Sequence, residues 1–266
     1  MSRLLVSIAL VTYKHEDYIH EALDGIMIQE GIEDFEIVVG DDKSPDRTVE
    51  IIKERTKDHK LTKFLDRPSN VGMHQNWIDT IRACSGKYVA LIEGDDVWTD
   101  PQKLKKQIAP LEANDSLQGS FTDTAVLNET EDGIEYGSYL SHQKMEHGKP
   151  EYSFRDLVHH NFISTVSVVL RNQPEWNVGK EYFKSPFVDW LIFMIKAEQG
   201  NLALINEVTC AYRLHNFGAF GYSSHTQRRI NLVKCLRHIY FSLEPGEKRQ
   251  WIMDRYLEAI EEYAQH

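Results

Sequence analysis

The sequence lacks the features that mark several common protein classes. Its 266 residues include only three cysteines, Cys84, Cys210 and Cys235, and no CxxC pair. This argues against a disulfide framework or zinc site and favours free thiols in a reducing cytosol. Acidic residues number 41 against 30 lysines and arginines, a formal net charge of -11. A general nucleic-acid partner is therefore not expected.

Long apolar runs are also missing. No run approaches the roughly 18 apolar residues of a membrane-spanning helix. The apolar N-terminal segment 4–11 is too short for a signal peptide and leads directly into polar residues 12–17. We therefore expect a soluble, cytoplasmic protein, with peripheral association at the inner face of the cell membrane as an open possibility. Oligomeric state is not readable from the sequence.

Patterns of buried strands and amphipathic helices alternate along the first part of the chain. Apolar residues at helical spacing predict helices for residues 17–29 and 73–81. Two more helices are predicted from Ser44-Pro45 to about His59 and after Asp100-Pro101, because Ser or Asp before proline favours a helix start. Short loops between such elements indicate βαβ units on a parallel sheet. The predicted strands of this part are residues 4–11, 35–40, 63–66 and 88–92.

The second part of the chain is less regular. Helices are predicted for residues 188–198, around Ile230 to Tyr240, and for 251–263. Residues 120–128 and 165–170 are predicted strands, and residues 201–213 a strand or a strand pair.

Polar residues follow three of the predicted strands. They are Thr12-Tyr13, Asp41-Asp42 and the segment 93–96. Ligands of parallel sheets bind beyond the carboxyl ends of the strands, so these residues are candidates for one site. The adjacent carboxylates of Asp95 and Asp96 repel each other unless a cation intervenes, and hard oxygen ligands select Mg²⁺ or Mn²⁺. The alternative is that they cap the next helix, but Asp100 already stands at that position.

With these residues the chain resembles the family 2 glycosyltransferases of the GT-A fold. The likeness is close over residues 4–113 and looser beyond. It implies an α/β fold with a Rossmann-like, mostly parallel central sheet flanked by helices, followed by C-terminal helices. The matching residues are 6–13, 22–26, 35–46, 70–72 and 86–96, with Gln29, Asn76, Trp98, Pro101, Lys103 and Leu104.

The resemblance implies a function and a division of the chain. The function is an inverting, metal-assisted transfer of a sugar from a nucleotide-diphosphate donor, such as a UDP-sugar, to a saccharide or lipid-linked acceptor in bacterial surface-polysaccharide synthesis. Residues 1–115 would form the nucleotide-sugar-binding half and residues 116–225 the acceptor-binding half of one domain. Residues 226–266 would form a C-terminal helical extension.

The resemblance also assigns residues in the donor half. Thr12 and Tyr13 would flank the base, Asp41 would accept a hydrogen bond from it, Asp95 would contact the ribose, and Asp96 would bind Mn²⁺ or Mg²⁺.

The chain departs from the family pattern at two positions. Glu93 stands where the family usually has Asp, and Gly40 stands where a branched residue is common. The role of Glu93 is left open.

Candidates in the acceptor half rest on the looser likeness. Asp189 is expected to be the general base, with a helix N-cap as the alternative. His215 would reach the metal or the diphosphate, or be an ordinary polar side chain. Residues 216–224, with glycines and aromatics, are expected to form a lid. Trp98 and Trp190 each stand beside a candidate acid, which fits sugar stacking or, more commonly, the core.

Other functions remain as alternatives. A metal-dependent nucleotidyltransferase would carry a glycine-rich basic loop after the first strand, whereas residues 12–17 contain no glycine. A phosphoryl-transfer enzyme with Asp41 as nucleophile would need lysine and serine motifs that do not stand out. A catalytically silent nucleotide-sugar-binding module would retain the fold alone.

Overall fold

The structure, a computed structural model, describes residues 5–32, 34–130, 133–137, 149–173, 176, 178–215 and 225–264. One central sheet carries helices on both faces, which confirms the predicted α/β class. The strands are β1 Val6–Thr12, β2 Phe35–Asp41, β3 Thr62–Phe64, β4 Tyr88–Glu93, β5 Val97–Trp98, β6 Gly119–Thr130, β7 Gly133–Gly137, β8 Glu151–Tyr152, β9 Val168–Arg171 and β10 Leu202–Leu214. The α-helices are α1 Ile19–Met27, α2 Thr48–Arg55, α3 Met73–Arg82, α4 Lys103–Ala113, α5 Phe154–His159, α6 Gly179–Tyr182, α7 Val188–Gln199, α8 His225–Ser242 and α9 Glu247–Ala264.

The sheet has the strand order β3-β2-β1-β4-β9-β6-β10-β5, with β7 on β6 and β8 on β10. β1 lies parallel to both β2 and β4, and β2 is parallel to β3, as the alternating pattern predicts. β9 is antiparallel to β4 and β6, while β10 is parallel to β6. The predicted mostly parallel character therefore holds for the first half, and the second half is mixed.

The central strands are buried on both faces, which is why their sequences are almost continuously apolar. Every residue of β1 and β2 is buried. Successive side chains of β1 alternate between two hydrophobic clusters, with Ala9 and Val11 in one and Ile8 and Leu10 in the other. The core thus fixes the register of β1 and the point at which it ends.

Two helices begin later than predicted. Ser44 does not cap a helix: its backbone N–H donates to Asp41 Oδ1 at 2.8 Å and its hydroxyl donates to Asp41 Oδ2 at 2.5 Å. α2 instead begins at Thr48, whose N–H donates to Asp46 Oδ1 at 3.1 Å. α4 begins at Lys103 rather than directly after Asp100.

The second half also differs in detail from its prediction. Residues 165–170 divide into a 3₁₀ turn at Thr165–Ser167 and the start of β9. β10 is a single long strand whose pairing with β6 is irregular between Ile205 and Cys210, which explains the interrupted apolar pattern. The short elements α5, β8 and α6 were not predicted, because a few residues give too little periodicity.

The C-terminal helices pack against helices of the second half of the chain. α8 contacts α6, α7 and α9, and α9 also contacts α5. Within the part of the chain that the structure describes, no helix is both long and apolar enough to span a membrane.

Candidate active site

The polar ends of the first strands meet at one edge of the sheet. In the register, Thr12 pairs with Asp41 and Val11 pairs with Glu93. The hydroxyl of buried Thr12 donates a hydrogen bond of 2.8 Å to Asp41 Oδ2. Together with Ser44, Thr12 holds the Asp41 carboxylate in one orientation. Tyr13, the neighbouring candidate, is 42% exposed and has the Lys14 ammonium 5.2 Å from its ring centre, so it lies at the rim.

The second acid of the β2 end, Asp42, has a structural role. Its carboxylate accepts hydrogen bonds from the N–H groups of Val71 at 2.6 Å and Gly72 at 3.0 Å. Asn70 Nδ2 donates to the Asp42 carbonyl at 2.9 Å. Asp42 therefore fixes the turn that precedes α3, and this explains why Asn-Val-Gly follows at that distance along the chain.

The departure from the family pattern at Gly40 also has a packing reason. A Cβ at Gly40 would overlap the Thr80 hydroxyl and lie 2.9 Å from Asn76 Oδ1. Asn76 Nδ2 donates to the Gly40 carbonyl at 2.6 Å. Polar side chains of α3 therefore occupy the space that a branched residue would fill.

The turn after β4 lies tightly against β1. A Cβ at Gly94 would be 2.8 Å from both Thr12 Cγ2 and His15 Nδ1. The Gly94 N–H donates to the Val11 carbonyl at 2.9 Å, which continues the pairing of the two strands. Glycine at this position therefore brings the carboxyls of the turn next to the end of β1.

Two histidines and an arginine surround Asp95. His215 Nε2 lies 3.0 Å and His15 Nε2 3.6 Å from Asp95 Oδ2, and Arg213 Nε donates to the Asp95 carbonyl at 2.8 Å. Burial acts to raise the pKa of Asp95, but the His215 hydrogen bond and the charges of the two histidines outweigh it and lower the pKa. Asp95 is therefore ionised. His215, a candidate metal ligand, contacts Asp95 here.

Asp96 is almost completely enclosed, at 1% exposure. Its Oδ1 accepts a hydrogen bond of 3.0 Å from the Arg213 N–H, whereas its Oδ2 has no hydrogen-bond partner among the described residues. Burial, followed by the charges of Asp95 and Glu93, raises the pKa of Asp96 well above its ordinary value. A hard divalent cation would satisfy this oxygen and offset the repulsion, so the residues fit such an ion.

The described part of the chain contains no group of three or more His, Cys, Asp and Glu side chains arranged to hold a metal. A cation at Asp96 would therefore take most of its other ligands from water and from a bound anion. Mg²⁺ typically binds in this way, through one or two carboxylates and substrate phosphates.

Asp189 stands in the first turn of α7. It is not the helix N-cap, a position occupied by Phe187. Asp189 Oδ2 accepts a hydrogen bond of 3.0 Å from Asn161 Nδ2, and Oδ1 accepts one of 2.8 Å from the Trp190 N–H. Burial raises the pKa of Asp189, which makes its carboxylate a stronger base.

Glu93 connects the two groups of acids. Burial, then the charges of Asp95 and Asp189, raise the pKa of Glu93 to about 8. The end of β4 therefore lies within electrostatic reach of α7. At neutral pH Glu93 carries a proton and adds little negative charge to the site.

Other candidates have a different outcome. Trp98 and Trp190 belong to the core, where their indole N–H groups donate to the Val166 and Leu157 carbonyls at 3.0 and 2.9 Å. Of the two alternatives for these residues, the structure thus shows the core position rather than sugar stacking. The expected lid at residues 216–224 lies outside the described residues.

From the sequence, His15 could meet phosphate or sugar but was more simply a solvated charge, and Arg213 could equally pair with a structural carboxylate. Asn161 was missed. Arg213 bridges the site, since its guanidinium also pairs with Glu21 at 3.0 Å. Each of these three residues meets its partner through the tertiary fold, so no local spacing marks it.

Comparison with known proteins agrees with this geometry. Residues 7–170 match the sequence profile described as Glycosyl transferase family 2. An uncharacterized protein of Mycobacterium tuberculosis is 35% identical over 84% of this chain, and the chain spans 62% of that relative's length. A putative teichuronic acid biosynthesis glycosyltransferase of Bacillus subtilis is 24% identical over 80% of each chain.

Solved structures show the same fold at low sequence identity. The structure of Staphylococcus aureus TarS with UDP-GlcNAc aligns with a TM-score of 0.70 and 17% identity, covering 97% of this chain and 73% of that one. A mannosyltransferase of Pyrobaculum calidifontis, in complex with GDP-Man and Mn²⁺, aligns with a TM-score of 0.65 and 14% identity over 100% of this chain and 76% of that one.

Proposed function

Because this chain belongs to glycosyltransferase family 2, we propose that it transfers a sugar from a nucleotide-diphosphate donor to an acceptor hydroxyl with inversion at the anomeric carbon. The observation that carries the proposal is the pair Asp95-Asp96, one carboxyl held by histidines and the other buried with an unpartnered oxygen. The two environments suit two different parts of a nucleotide sugar. The relative with a teichuronic acid name and the neighbour bound to UDP-GlcNAc support a UDP-sugar donor and a surface-polysaccharide acceptor.

The donor side of the proposal uses the strand ends. Thr12 and Tyr13 flank the base, Asp41 accepts a hydrogen bond from it, and Asp95 accepts hydrogen bonds from the ribose hydroxyls. Thr12 and Asp41 are already hydrogen-bonded to each other, so this part of the site is preorganised. Asp95 suits a ribose because its lowered pKa keeps it an acceptor.

Asp96 and His215 would hold a Mn²⁺ or Mg²⁺ ion. Such an ion neutralises the diphosphate leaving group when bound. The neighbour with GDP-Man and Mn²⁺ supports this class of ion. His215 Nε2 is 3.0 Å from Asp95 in this structure, so binding a metal would require it to leave that carboxylate.

Asp189 is proposed as the general base. Its carboxylate removes the proton of the acceptor hydroxyl while the hydroxyl oxygen bonds to the anomeric carbon and the bond from that carbon to the diphosphate oxygen breaks. The diphosphate leaves with the bonding electron pair, and Asp189 holds the proton. Attack opposite the leaving group gives the inverted product.

The proposal is tested by calorimetric titration of UDP and GDP with and without Mn²⁺. We expect the wild type to bind one nucleotide in a Mn²⁺-dependent way and Asp96→Ala to lose that dependence. Asp189→Ala should keep nucleotide binding but lose about 10²–10⁴ in donor turnover. Unchanged Mn²⁺ dependence in Asp96→Ala would contradict the metal role. Nucleotide binding without any donor turnover by the wild type would favour a silent binding module.

Peripheral membrane association is a second part of the proposal. α8 carries Arg228, Arg229, Lys234 and Arg237 and no acidic residue, in a chain of net charge -11. Lys234, Arg237 and Phe241 share one exposed side of the helix, and Phe241 is 54% exposed beneath the Arg237 guanidinium. We call these three residues the basic face of α8. Cations beside an exposed aromatic suit an anionic lipid surface, where a lipid-linked acceptor would lie.

A further inference from the structure

The loop between α5 and the 3₁₀ turn places one amide against the acid of α7. Asn161 Nδ2 lies 3.0 Å from Asp189 Oδ2. The residues that follow Asn161, Phe162 and Ile163, are buried in the main core and anchor the loop. The Trp190 indole N–H donates to the Leu157 carbonyl at 2.9 Å and ties α7 to α5. The amide and the acid are therefore held by packed elements rather than by a free loop.

The orientation of this amide follows from the charge of its partner. An ionised carboxylate only accepts hydrogen bonds, so the Asn161 NH₂ group must face Asp189 and its carbonyl oxygen must point away. That Oδ1 atom is buried and has no hydrogen-bond partner in the described part of the chain. An asparagine kept only for its fold contacts would have its buried carbonyl oxygen bonded. The bond to Asp189 is thus the contact that accounts for this residue.

We propose that Asn161 is the positioning residue of the base: its NH₂ group fixes Asp189 Oδ2, so that the free lone pairs of the carboxylate are aimed at the acceptor hydroxyl. This inference rests on the proposed role of Asp189. A carboxylate with a donor at each oxygen cannot rotate freely about its Cβ–Cγ bond, and the Thr165 side chain adds a further hydrogen bond to Asp189. The Trp190 N–H holds Oδ1 and Asn161 holds Oδ2. Such preorganisation supports transfer of a proton in a defined direction.

The inference has a pH consequence. Burial raises the pKa of Asp189, and the hydrogen bond from Asn161 counteracts it by favouring the charged form. Without that bond the pKa of Asp189 rises further, so the base is ionised only at higher pH. The titratable groups that interact with Asp189 from the surrounding elements are Glu93 of β4, Tyr182 of α6, Tyr212 of β10 and Cys235 of α8.

The first test reads the carboxyl group directly. The protein is labelled with ¹³Cγ-aspartate, the Asp189 resonance is assigned with Asp189→Asn, and its titration is followed by NMR. In Asn161→Ala we expect the Asp189 carboxyl to titrate at higher pH than in the wild type. Asn201→Ala is the matched control and should leave the Asp189 titration unchanged, since Asn201 Nδ2 also donates to a carboxylate, Glu151, at 3.0 Å but at the surface. An unchanged Asp189 titration in Asn161→Ala would overturn the inference.

The second test measures release of nucleoside diphosphate from UDP-glucose, UDP-N-acetylglucosamine and GDP-mannose with Mn²⁺. We expect kcat to fall about 10- to 100-fold in Asn161→Ala, as for a displaced catalytic group. The KM for the nucleotide sugar should stay unchanged. In the profile of kcat against pH, the rise in rate on the acid side should move to higher pH. Asn161→Asp keeps the shape of the side chain but replaces the hydrogen-bond donor with a second carboxyl group. It should therefore move the acid side of the pH–rate profile furthest towards higher pH. A fall in kcat with no pH shift would indicate a merely structural role.

The two tests separate the two proposals. If no donor is turned over by the wild type, the proposed function fails while the NMR titration still decides whether Asn161 controls Asp189. If Asp189→Ala turns over donor normally, Asp189 is not the base and the inference falls with it. Thermal unfolding of each variant at one pH shows whether the fold is retained.

Discussion

Glu93, Asp95 and Asp96 lie on one short turn, yet their side chains differ in protonation because their neighbours differ. His215 and His15 stabilise the Asp95 carboxylate, while Glu93 and Asp96 are buried beside other acids. Like charges in a confined site push pKa values apart. The turn therefore holds one ionised carboxylate, Asp95, and two carboxyl groups with raised pKa values, Glu93 and Asp96. A cation beside Asp96 would change this balance, which links metal binding to protonation.

This leads to a prediction for Glu93→Gln in metal-free protein. The pKa of Glu93 is raised to about 8 in the folded state, above the value of 4.5 for an unperturbed group. Between these values the folded state holds a proton that the unfolded state has lost, so the stability of the wild type falls as pH rises. Glutamine cannot ionise, and the variant should be more stable than the wild type by up to about 4 kcal/mol at pH 8, since each unit of pKa difference contributes about 1.4 kcal/mol.

The measurement is urea unfolding in EDTA at pH 5 and pH 8. The difference between variant and wild type should be several-fold smaller at pH 5, because Glu93 is then protonated in the folded state and the pH is only about half a unit above the unfolded-state value of 4.5. Exposed Glu54 supplies the control Glu54→Gln, which should show no such pH dependence. Equal differences at both pH values would refute the raised pKa.

At the scale of elements, close packing of the β4 turn on β1 determines the site. Gly94 allows the backbone of the turn to approach Thr12 and His15, which follow the end of β1. α7 approaches the same turn, where the charges of Glu93 and Asp189 interact. The site is therefore assembled where three elements converge.

Gly94→Ala should accordingly disturb both folding and binding. Its Cβ would lie 2.8 Å from the side-chain atoms Thr12 Cγ2 and His15 Nδ1, so packed side chains must shift, and a loss of about 1–3 kcal/mol in unfolding free energy is expected. Gly246→Ala is the control, because a Cβ there meets nothing within 4 Å, and its effect should stay within about 0.5 kcal/mol. Chemical unfolding measures both, and equal stability of the two variants would contradict the packing argument.

At the scale of the whole molecule, charge is distributed unevenly. The chain as a whole is acidic, whereas α8 carries only basic charges. α8 packs on α6 and α7, and α7 carries the proposed base. A surface bound through the basic face of α8 would thus lie near the helix that carries the proposed base.

We expect the protein to sediment with phosphatidylglycerol vesicles at low salt and to be released by 0.5 M salt, while phosphatidylcholine vesicles leave it in solution. Lys234→Glu with Arg237→Glu should abolish the binding. Lys57→Glu with Lys60→Glu, an equal charge change at exposed positions between α2 and β3, should leave it intact. Loss of binding in both double variants would show a dependence on net charge alone, and no binding by the wild type would refute the membrane proposal.

The strands and the acids at their ends were predictable from the sequence. A central parallel strand is packed on both faces, so its sequence is almost continuously apolar. The apolar sequence stops at the polar residues that end each strand, which are Thr12, Asp41 and Glu93. Parallel neighbours bring such ends together without further information. The α/β class and the family likeness follow from the same local patterns.

Only the tertiary structure decided which side chains meet. His215 and Asp95 stand 120 positions apart, Asn161 and Asp189 stand 28 apart, and each could serve an ordinary local purpose. Ser44 followed by Pro45 is an example of a local pattern that packing overrides. The pair is typical of a helix start, but Ser44 instead makes hydrogen bonds with Asp41. Local sequence determines the elements and their ends, because it sets burial and backbone preference. Packing between elements determines the partners, because contact energies depend on distances that the chain fixes only when folded.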